Sequence, residues 1–351
     1  MAARHRIQKD AVLTALQKLT PAITPREVIQ QSTCILFDGG SAVTFNDAIC
    51  CRVRSPMPFL TGAIRASNLL DILGKHPDST LEVSVKKSKI VLIGSDGARR
   101  ETGIAREEEV TSPYKSVEPP KEWNKLDENF FEAVSVAASC AGKDATRFTL
   151  TCVHITKDFV EACDTSQIAR YPVKMDIEKD FLVRAEDISR VTGFGMLEYS
   201  VTDGWIHFRD SGDMIISVRK WLEDYPVLDD FVKDAGDDAT FTMPGGLDEL
   251  VSRLEIFAKD NAEDDSIMVT LRKDYVELEG SGAYGYHKEG MTTVYNGEPV
   301  KFLIPPKLLC SLSAKSADCS VSANKLSVKS LKFSYATCTT PMEDSEELTE
   351  A

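Results

Sequence analysis

Few residues in this chain have the types and spacing that do chemistry. "GSGAYG", residues 280–285, satisfies GxGxxG, the pattern that cradles a dinucleotide pyrophosphate when a strand precedes it and a helix N-terminus follows. Strand-like "YVELE" does precede it, but "YHKEGMTTVYNG" follows with no helical period. The glycines are therefore expected in a hairpin, and no cofactor is expected. The pairs Asp229-Asp230 and Asp264-Asp265 have the oxygen chemistry of a metal site. Acidic loops in a chain of formal charge −14 are mostly solvated, however, so no metal is expected either. Nine cysteines, odd in number and scattered, show no CxxC spacing and no pairing with the five histidines. They read as reduced thiols of a cytosolic protein, not as a disulfide framework or a zinc site. With no nucleophile elbow and no convergent acid triad, the chain is expected not to be an enzyme.

Recognition suits the remaining features better than catalysis. "RKWLEDYPVLDDFVKDAG", Arg219 to Gly236, holds Trp221, Tyr225, Pro226, Val227, Leu228 and Phe231 among five acids. A solvated connector has no reason to keep that apolar surface unless something covers it. The formal charge of −14 argues against a surface that is basic all over, as a bulk nucleic-acid coat requires, and leaves room for one basic face. The opening "MAARHRIQKDAV" is followed by no apolar h-region, and no window approaches eighteen uninterrupted apolar residues. Neither a secretion signal nor a membrane span is expected.

The elements that must position these residues repeat. "PFLTGAIRASNLLDIL" (58–73), "DFLVRAEDISRVTGFG" (180–195) and "KFLIPPKLLCSLSA" (301–314) each place Phe-Leu, a short spacer and a helix-like apolar run. Their Phe-Leu pairs begin at 59, 181 and 302, spacings of 122 and 121 residues. "QKDAVLTALQKL" (8–19), "DENFFEAVSVAA" (127–138) and "GGLDELVSRLEIF" (245–257) are amphipathic, with Leu13, Phe131 and Leu250 again about one repeat apart. Strand pairs follow each second helix: "LEVSV" with "KIVLIG", "EYSV" with "WIHF", "CSVS" with "KLSVKS". Period-two alternation around short polar turns predicts antiparallel hairpins. The expected fold is α+β, three repeats with helices on one face of antiparallel sheets. The segments are 1–121, 122–236, 237–342 and an acidic tail, 343–351, expected to be disordered.

In order and spacing these units resemble the bacterial-type sliding clamp, the beta subunit of the replicative DNA polymerase III, as a divergent or phage-borne member. The likeness runs from "IQKDAVLTALQKLTPAITPRE" through "VYNGEPVKFLIPPKLLCSL" to "TTPM", and "DYPVLDDFV" resembles the stretch that ends the family's second domain. The resemblance implies a homodimeric ring with helices on its inner face and sheets outside. Such a ring encircles duplex DNA without sequence preference and tethers a polymerase, a clamp loader and other proteins in the cytoplasm. It implies DNA-facing cations at Lys9, Lys18, Arg26, Arg65, Lys75, Arg190, Arg253, Lys259, Lys307 and Lys315; Asp127, Glu128, Glu132, Glu186 and Asp187, which crowd the second unit's helices, depart from that pattern. It also implies an apolar groove for short partner peptides, formed by Leu150, Thr165, Ser166, Gln167, Ile168, Pro226, Phe231, Leu308, Pro341 and Met342. Members of the family carry Gly-His-Arg-Leu where this chain has Ser166, Gln167 and Ile168, so the groove is expected to have lost a basic side chain. At the subunit joint, Ala258 and Lys259 precede Asp260, Glu263, Asp264 and Asp265, and an electrostatic contact with Arg99, Arg100 or Arg106 is expected. Two alternatives remain: a clamp-fold interaction scaffold that does not encircle DNA, and a metal-dependent nucleic-acid enzyme.

Overall fold

The structure, a computed structural model, describes residues 4–94, 100–212, 214–232, 239–258, 266–314, 316, 318–322, 324–329 and 332–342. The chain divides into two compact units, Met1–Phe131 with Lys174–Glu223, and Glu132–Val173 with Asp224–Ala351. Its helices are α1 (Lys9–Gln17), α2 (Ala66–Lys75), α3 (Phe130–Ala138), α4 (Ala185–Ser189), α5 (Asp229–Val232), α6 (Leu247–Ala258) and α7 (Pro306–Ser313).

In the first unit, α1 buries Val12 and Leu16, and α2 buries Ala66, Leu69 and Leu73. Spacings of three and four put these side chains on one stripe, which is why each helix lies flat on a sheet. One sheet runs Arg4–Gln8, Thr80–Val85, Lys89–Gly94, Glu101–Ala105, and contains the expected "LEVSV"/"KIVLIG" hairpin. The other has eight strands, in the order Thr61–Arg65, Cys34–Asp38, Ser41–Phe45, Ile49–Arg54, Ile215–Arg219, Trp205–Arg209, Glu198–Val201 and Asn124–Lys125. It is continuous because Ile49–Arg54 pairs with Ile215–Arg219, Cys51 opposite Ile216. Of the stretch 180–195, Phe181–Arg184 is a strand and the helix-like run that follows forms α4 over only five residues. Beyond it, Gly193 and Gly195 adopt φ of +90° and +64°, backbone that glycine takes without a Cβ clash and in which no helix resumes.

In the second unit, one sheet runs from Cys152–Ile155 through Phe159–Cys163, Gln167–Pro172, Ser334–Cys338, Lys325–Lys329, Asp318–Ser322 and Ala239–Thr242 to Val294–Tyr295. The other runs Gly285–Thr292, Tyr275–Gly282, Ile267–Arg272, Val300–Ile304, Thr340–Pro341. Leu250 and Leu254 of α6 and Leu309 and Leu312 of α7 fill the core with Val269, Leu271 and Leu278. "GSGAYG" closes the hairpin between Tyr275–Gly282 and Gly285–Thr292, with Gly282 opposite Gly285. Those glycines serve packing: a Cβ on Gly280 would lie 2.3 Å from the Leu254 carbonyl oxygen of α6. All nine cysteines are free thiols.

Candidate partner-binding cleft

The cleft of the second unit is built from two tight turns and one helix. Strand Phe159–Cys163 folds back into Gln167–Pro172 through a turn closed by Asp164. Its Oδ1 accepts the N–H groups of Ser166 at 2.7 Å and Gln167 at 2.9 Å, and its Oδ2 accepts Gln167 Nε2 at 3.1 Å. Aspartate suits this position because its short carboxylate reaches the amides two and three residues on. Asp144 does the same before the 3-10 segment Ala145–Thr151, accepting the Thr146 N–H at 2.9 Å and Oγ1–H at 2.7 Å. These bonds from Thr146 hold the Asp144 carboxyl below the usual aspartate range. The Gly142 N–H donates to the Leu150 carbonyl at 2.8 Å and ties the two ends of that loop together.

Between these turns and α7 lies a cavity of about 670 Å³, with Leu150 and Leu308 as apolar lining and Thr165, Gln167, Ser139 and Ser311 as polar lining. Lys143, Arg147 and Lys307 border the same cavity. Leu150 also packs on an apolar cluster of Cys163, Ile168 and Ala336, covered by Tyr225, Leu228, Phe231 and Val232. Tyr225, Leu228 and Phe231 of the Arg219 to Gly236 stretch go here, whereas Trp221, Pro226 and Val227 stay exposed.

Two hydrogen bonds and a ring stack pin that cover. The Cys163 N–H donates to Tyr225 Oη at 2.9 Å, and the tyrosine ring stacks on His154 with centroids 4.8 Å apart. Arg170 Nη1 donates to Asp229 Oδ1 at 2.7 Å. Arg170 also meets the buried Glu161 at 2.7 Å and lies over the Phe159 ring at 4.1 Å. Burial raises the Cys163 thiol, although its bond with Tyr225 opposes the rise. Burial likewise raises the Tyr225 phenol.

Of the residues expected in the groove, Leu150, Thr165, Gln167 and Leu308 line the cavity. Ser166 lies on the same turn, where its carbonyl accepts the Cys338 N–H at 2.7 Å. Ile168 and Phe231 belong to the adjoining cluster. Pro226 is exposed and stands off the cavity lining, as does Met342, whose N–H donates to the Lys301 carbonyl at 3.1 Å. Pro341 pairs through its strand opposite Phe302. Ser166, Gln167 and Ile168 bring no basic side chain to their turn, and Lys143, Arg147 and Lys307 line the cavity from other positions. Sequence reasoning passed over Lys143 and Arg147, since "GKDATR" has the composition of any solvated turn.

The cations expected to face DNA differ in availability. Arg26, Arg65 and Lys75 are exposed, with no ion pair among the described residues. Lys18 is held by Asp210 at 3.0 Å, Arg190 by Glu186 at 2.8 Å and Arg253 by Glu289 at 2.9 Å. Lys9 donates to the His76 carbonyl at 2.9 Å. Lys307 is exposed at the cleft, and Lys259 and Lys315 lie outside the described residues. The acids around α3 and α4 are partly consumed as well. Asp127 accepts the Asn129 and Lys174 N–H groups, Glu132 pairs with Lys332, and Asp187 is buried, its carboxyl raised by that burial.

Arg106 is buried, donating to the Thr61 carbonyl at 2.7 Å and the Lys87 carbonyl at 2.9 Å, and Arg100 is bound to Asp78 at 2.6 Å. Both guanidinium groups are therefore engaged within the first unit. Arg99, the acids at 260 and 263–265, and the tail 343–351 lie outside the described residues.

No protein-family model matches the sequence, and no curated protein matches it. Solved structures do. A DNA polymerase III beta chain from Streptococcus pneumoniae is similar at a TM-score of 0.82 and 17% identity, over 97% of this chain and 100% of its own. A DNA polymerase sliding clamp from Pseudomonas aeruginosa gives 0.80 and 13% over 97% and 100%. A DNA polymerase III beta subunit from Thermotoga maritima gives 0.79 and 12% over 97% and 99%. The chain has the fold of these bacterial clamps along nearly its whole length.

Proposed function

We propose that the chain is a DNA sliding clamp. In this reading residues 1–121, 122–236 and 237–342 are three clamp domains, and two copies close head to tail around duplex DNA in the cytoplasm. The ring holds a polymerase, a clamp loader and other DNA-processing proteins on the template through the Leu150/Leu308 cleft. What carries the reading is the extent of the likeness, which takes in both compact units and not a single module. The work is mechanical and catalyses nothing: tethering replaces bimolecular rebinding by a high effective concentration, so a polymerase stays on its template without a strong contact to any sequence.

Arg26, Arg65 and Lys75 are the first phosphate contacts in this proposal, because they give up no partner on binding. Lys18, Arg190 and Arg253 must exchange a carboxylate for a phosphate, which keeps the grip weak and suits sliding. At the joint between copies, Ile256, Tyr284 and Tyr286, which are 65%, 87% and 68% exposed, supply an apolar contact that Arg100 and Arg106 do not.

The test is retention on nicked circular DNA in the presence of a loader, followed by linearisation. Release on linearising supports encirclement; equal retention on circle and line contradicts it. The internal ion pairs of Lys18, Arg190 and Arg253 favour one second reading, a clamp-fold scaffold that binds proteins and not DNA. Sizing separates the two: a monomer at every salt concentration supports the scaffold, and a dimer lost on Tyr286→Glu supports the ring.

A further inference from the structure

Every hydrogen-bonding position of the Gln31 side chain is filled. Its Oε1 accepts the Thr111 N–H at 2.9 Å and the Ser112 N–H at 3.2 Å, and its Nε2 donates to the Glu107 carboxylate at 2.5 Å and the Glu109 carbonyl at 2.9 Å. The residue is 2% exposed, and its backbone adopts φ of +62°, the left-handed region that residues other than glycine seldom enter. It belongs to a loop that runs from Thr24 to Ser32, whose ends meet through the Thr24 N–H donating to the Ser32 carbonyl at 3.1 Å. Inside the loop the buried Ser32 Oγ accepts the Val28 N–H at 3.1 Å, and Glu27 Oε1 accepts the Gln31 N–H at 2.6 Å. Arg26 is carried on this loop, exposed and, among the described residues, without an ion pair.

We infer that Gln31 is a positioning residue for Arg26. It ties the loop in one shape to the segment 107–112, and it occupies the carboxylates of Glu27 and Glu107 that would otherwise be free to neutralise the guanidinium. This role presupposes the clamp reading, in which Arg26 meets DNA phosphate. Left-handed backbone at a residue with a Cβ persists only where the surroundings over-determine it, and four side-chain bonds to a second segment of chain do so here. A fixed loop serves a phosphate contact in two ways. No ordering of the loop opposes binding, and an arginine that carries no carboxylate releases the counterions of its phosphate in full.

The test is binding of the full chain to a labelled blunt duplex, followed by fluorescence anisotropy over a series of salt concentrations and below the melting transition of each variant. The chains compared are the wild type, Arg26→Ala, Gln31→Gly, Gln31→Asn and the double variant Gln31→Gly/Arg26→Ala. Glycine and asparagine both accept left-handed backbone, so the two Gln31 variants remove the bonds to 107–112 without adding strain. Arg26→Ala should lower the slope of log K against log salt by about 0.9. Gln31→Gly and Gln31→Asn, which change no charge, should each lower it by more than half as much, and the double variant should lose no more than Arg26→Ala alone. A packing role by itself would leave the slope untouched. Folded Gln31 variants with the wild-type slope, or a double variant whose loss is the sum of the two singles, overturn the inference while the clamp reading stands. Arg26→Ala with the wild-type slope removes the phosphate contact itself, and with it the reading on which the role of Gln31 depends.

Discussion

Tyr225 and Cys163 are joined twice, by the Cys163 N–H donating to Tyr225 Oη at 2.9 Å and by the phenol proton donating to Cys163 Sγ at 3.3 Å. The pair fastens the segment that precedes α5 to the strand that forms one wall of the cleft. Tyr225→Phe keeps the ring and its stack on His154 but leaves a buried N–H unpaired. A loss of roughly 1–3 kcal/mol is expected in chemical denaturation. A change within error would mean that water or relaxation replaces the phenol at little cost.

Arg170 serves two carboxylates of different burial, and the two should respond differently. Glu161 is 2% exposed and Asp229 lies on the surface. Removing the guanidinium with Arg170→Ala leaves the buried Glu161 carboxylate with His154 Nδ1, 2.9 Å away, but without its cation, for a loss of about 3–5 kcal/mol. Asp229→Ala breaks only the exposed arm, worth no more than about 1 kcal/mol. Urea midpoints of the two variants decide the matter; equal losses would place the importance of Arg170 in Asp229 instead.

His207 makes stability depend on pH. It is fully buried between Ser217 Oγ at 2.7 Å and Thr202 Oγ1 at 3.0 Å, and burial pushes its pKa down to about 4. The unfolded chain protonates this imidazole below about pH 6.5, while the folded chain resists until about pH 4. Its contribution is therefore complete above pH 6.5 and is lost as the pH falls to 4, by up to roughly 3 kcal/mol. Melting from pH 7.5 to 4.5 should show this slope in the wild type and a shallower one in His207→Gln. Parallel curves would assign the acid sensitivity to other groups.

Gly280→Ala should part the hairpin from α6, since its Cβ would sit 2.3 Å from the Leu254 carbonyl oxygen. Overpacking of that kind costs about 1–3 kcal/mol. Gly245→Ala, whose Cβ meets nothing within 4 Å, is the control. If thermal melting shows both variants near wild type, the close approach at Gly280 is soft.

Much of the fold is legible in the residues alone. Helix positions such as Leu69 and Leu73, and strand pairs such as "LEVSV" with "KIVLIG", follow from periodicities of three to four and of two, which are local. The mismatch between "GSGAYG" and any following helix likewise argues, from the sequence alone, against a nucleotide loop. That no helix resumes after α4 is also written locally, in Gly193 and Gly195.

The cleft was legible only in part. Leu150, Thr165, Gln167 and Leu308 came from the order of the repeats and their likeness to a known family, and they do meet around one cavity. Sequence type says that Lys18, Arg253 and Lys143 are cations, and nothing more. Tertiary structure decides which of them are spent: Lys18 finds Asp210 at a separation of 192 residues, Arg253 of α6 finds Glu289 on a strand of the hairpin, and Lys143 finds no carboxylate among the described residues. Composition determines how many charges a chain carries. Pairing depends on a separation of a few ångströms between residues far apart in the chain, and only the folded packing sets that separation.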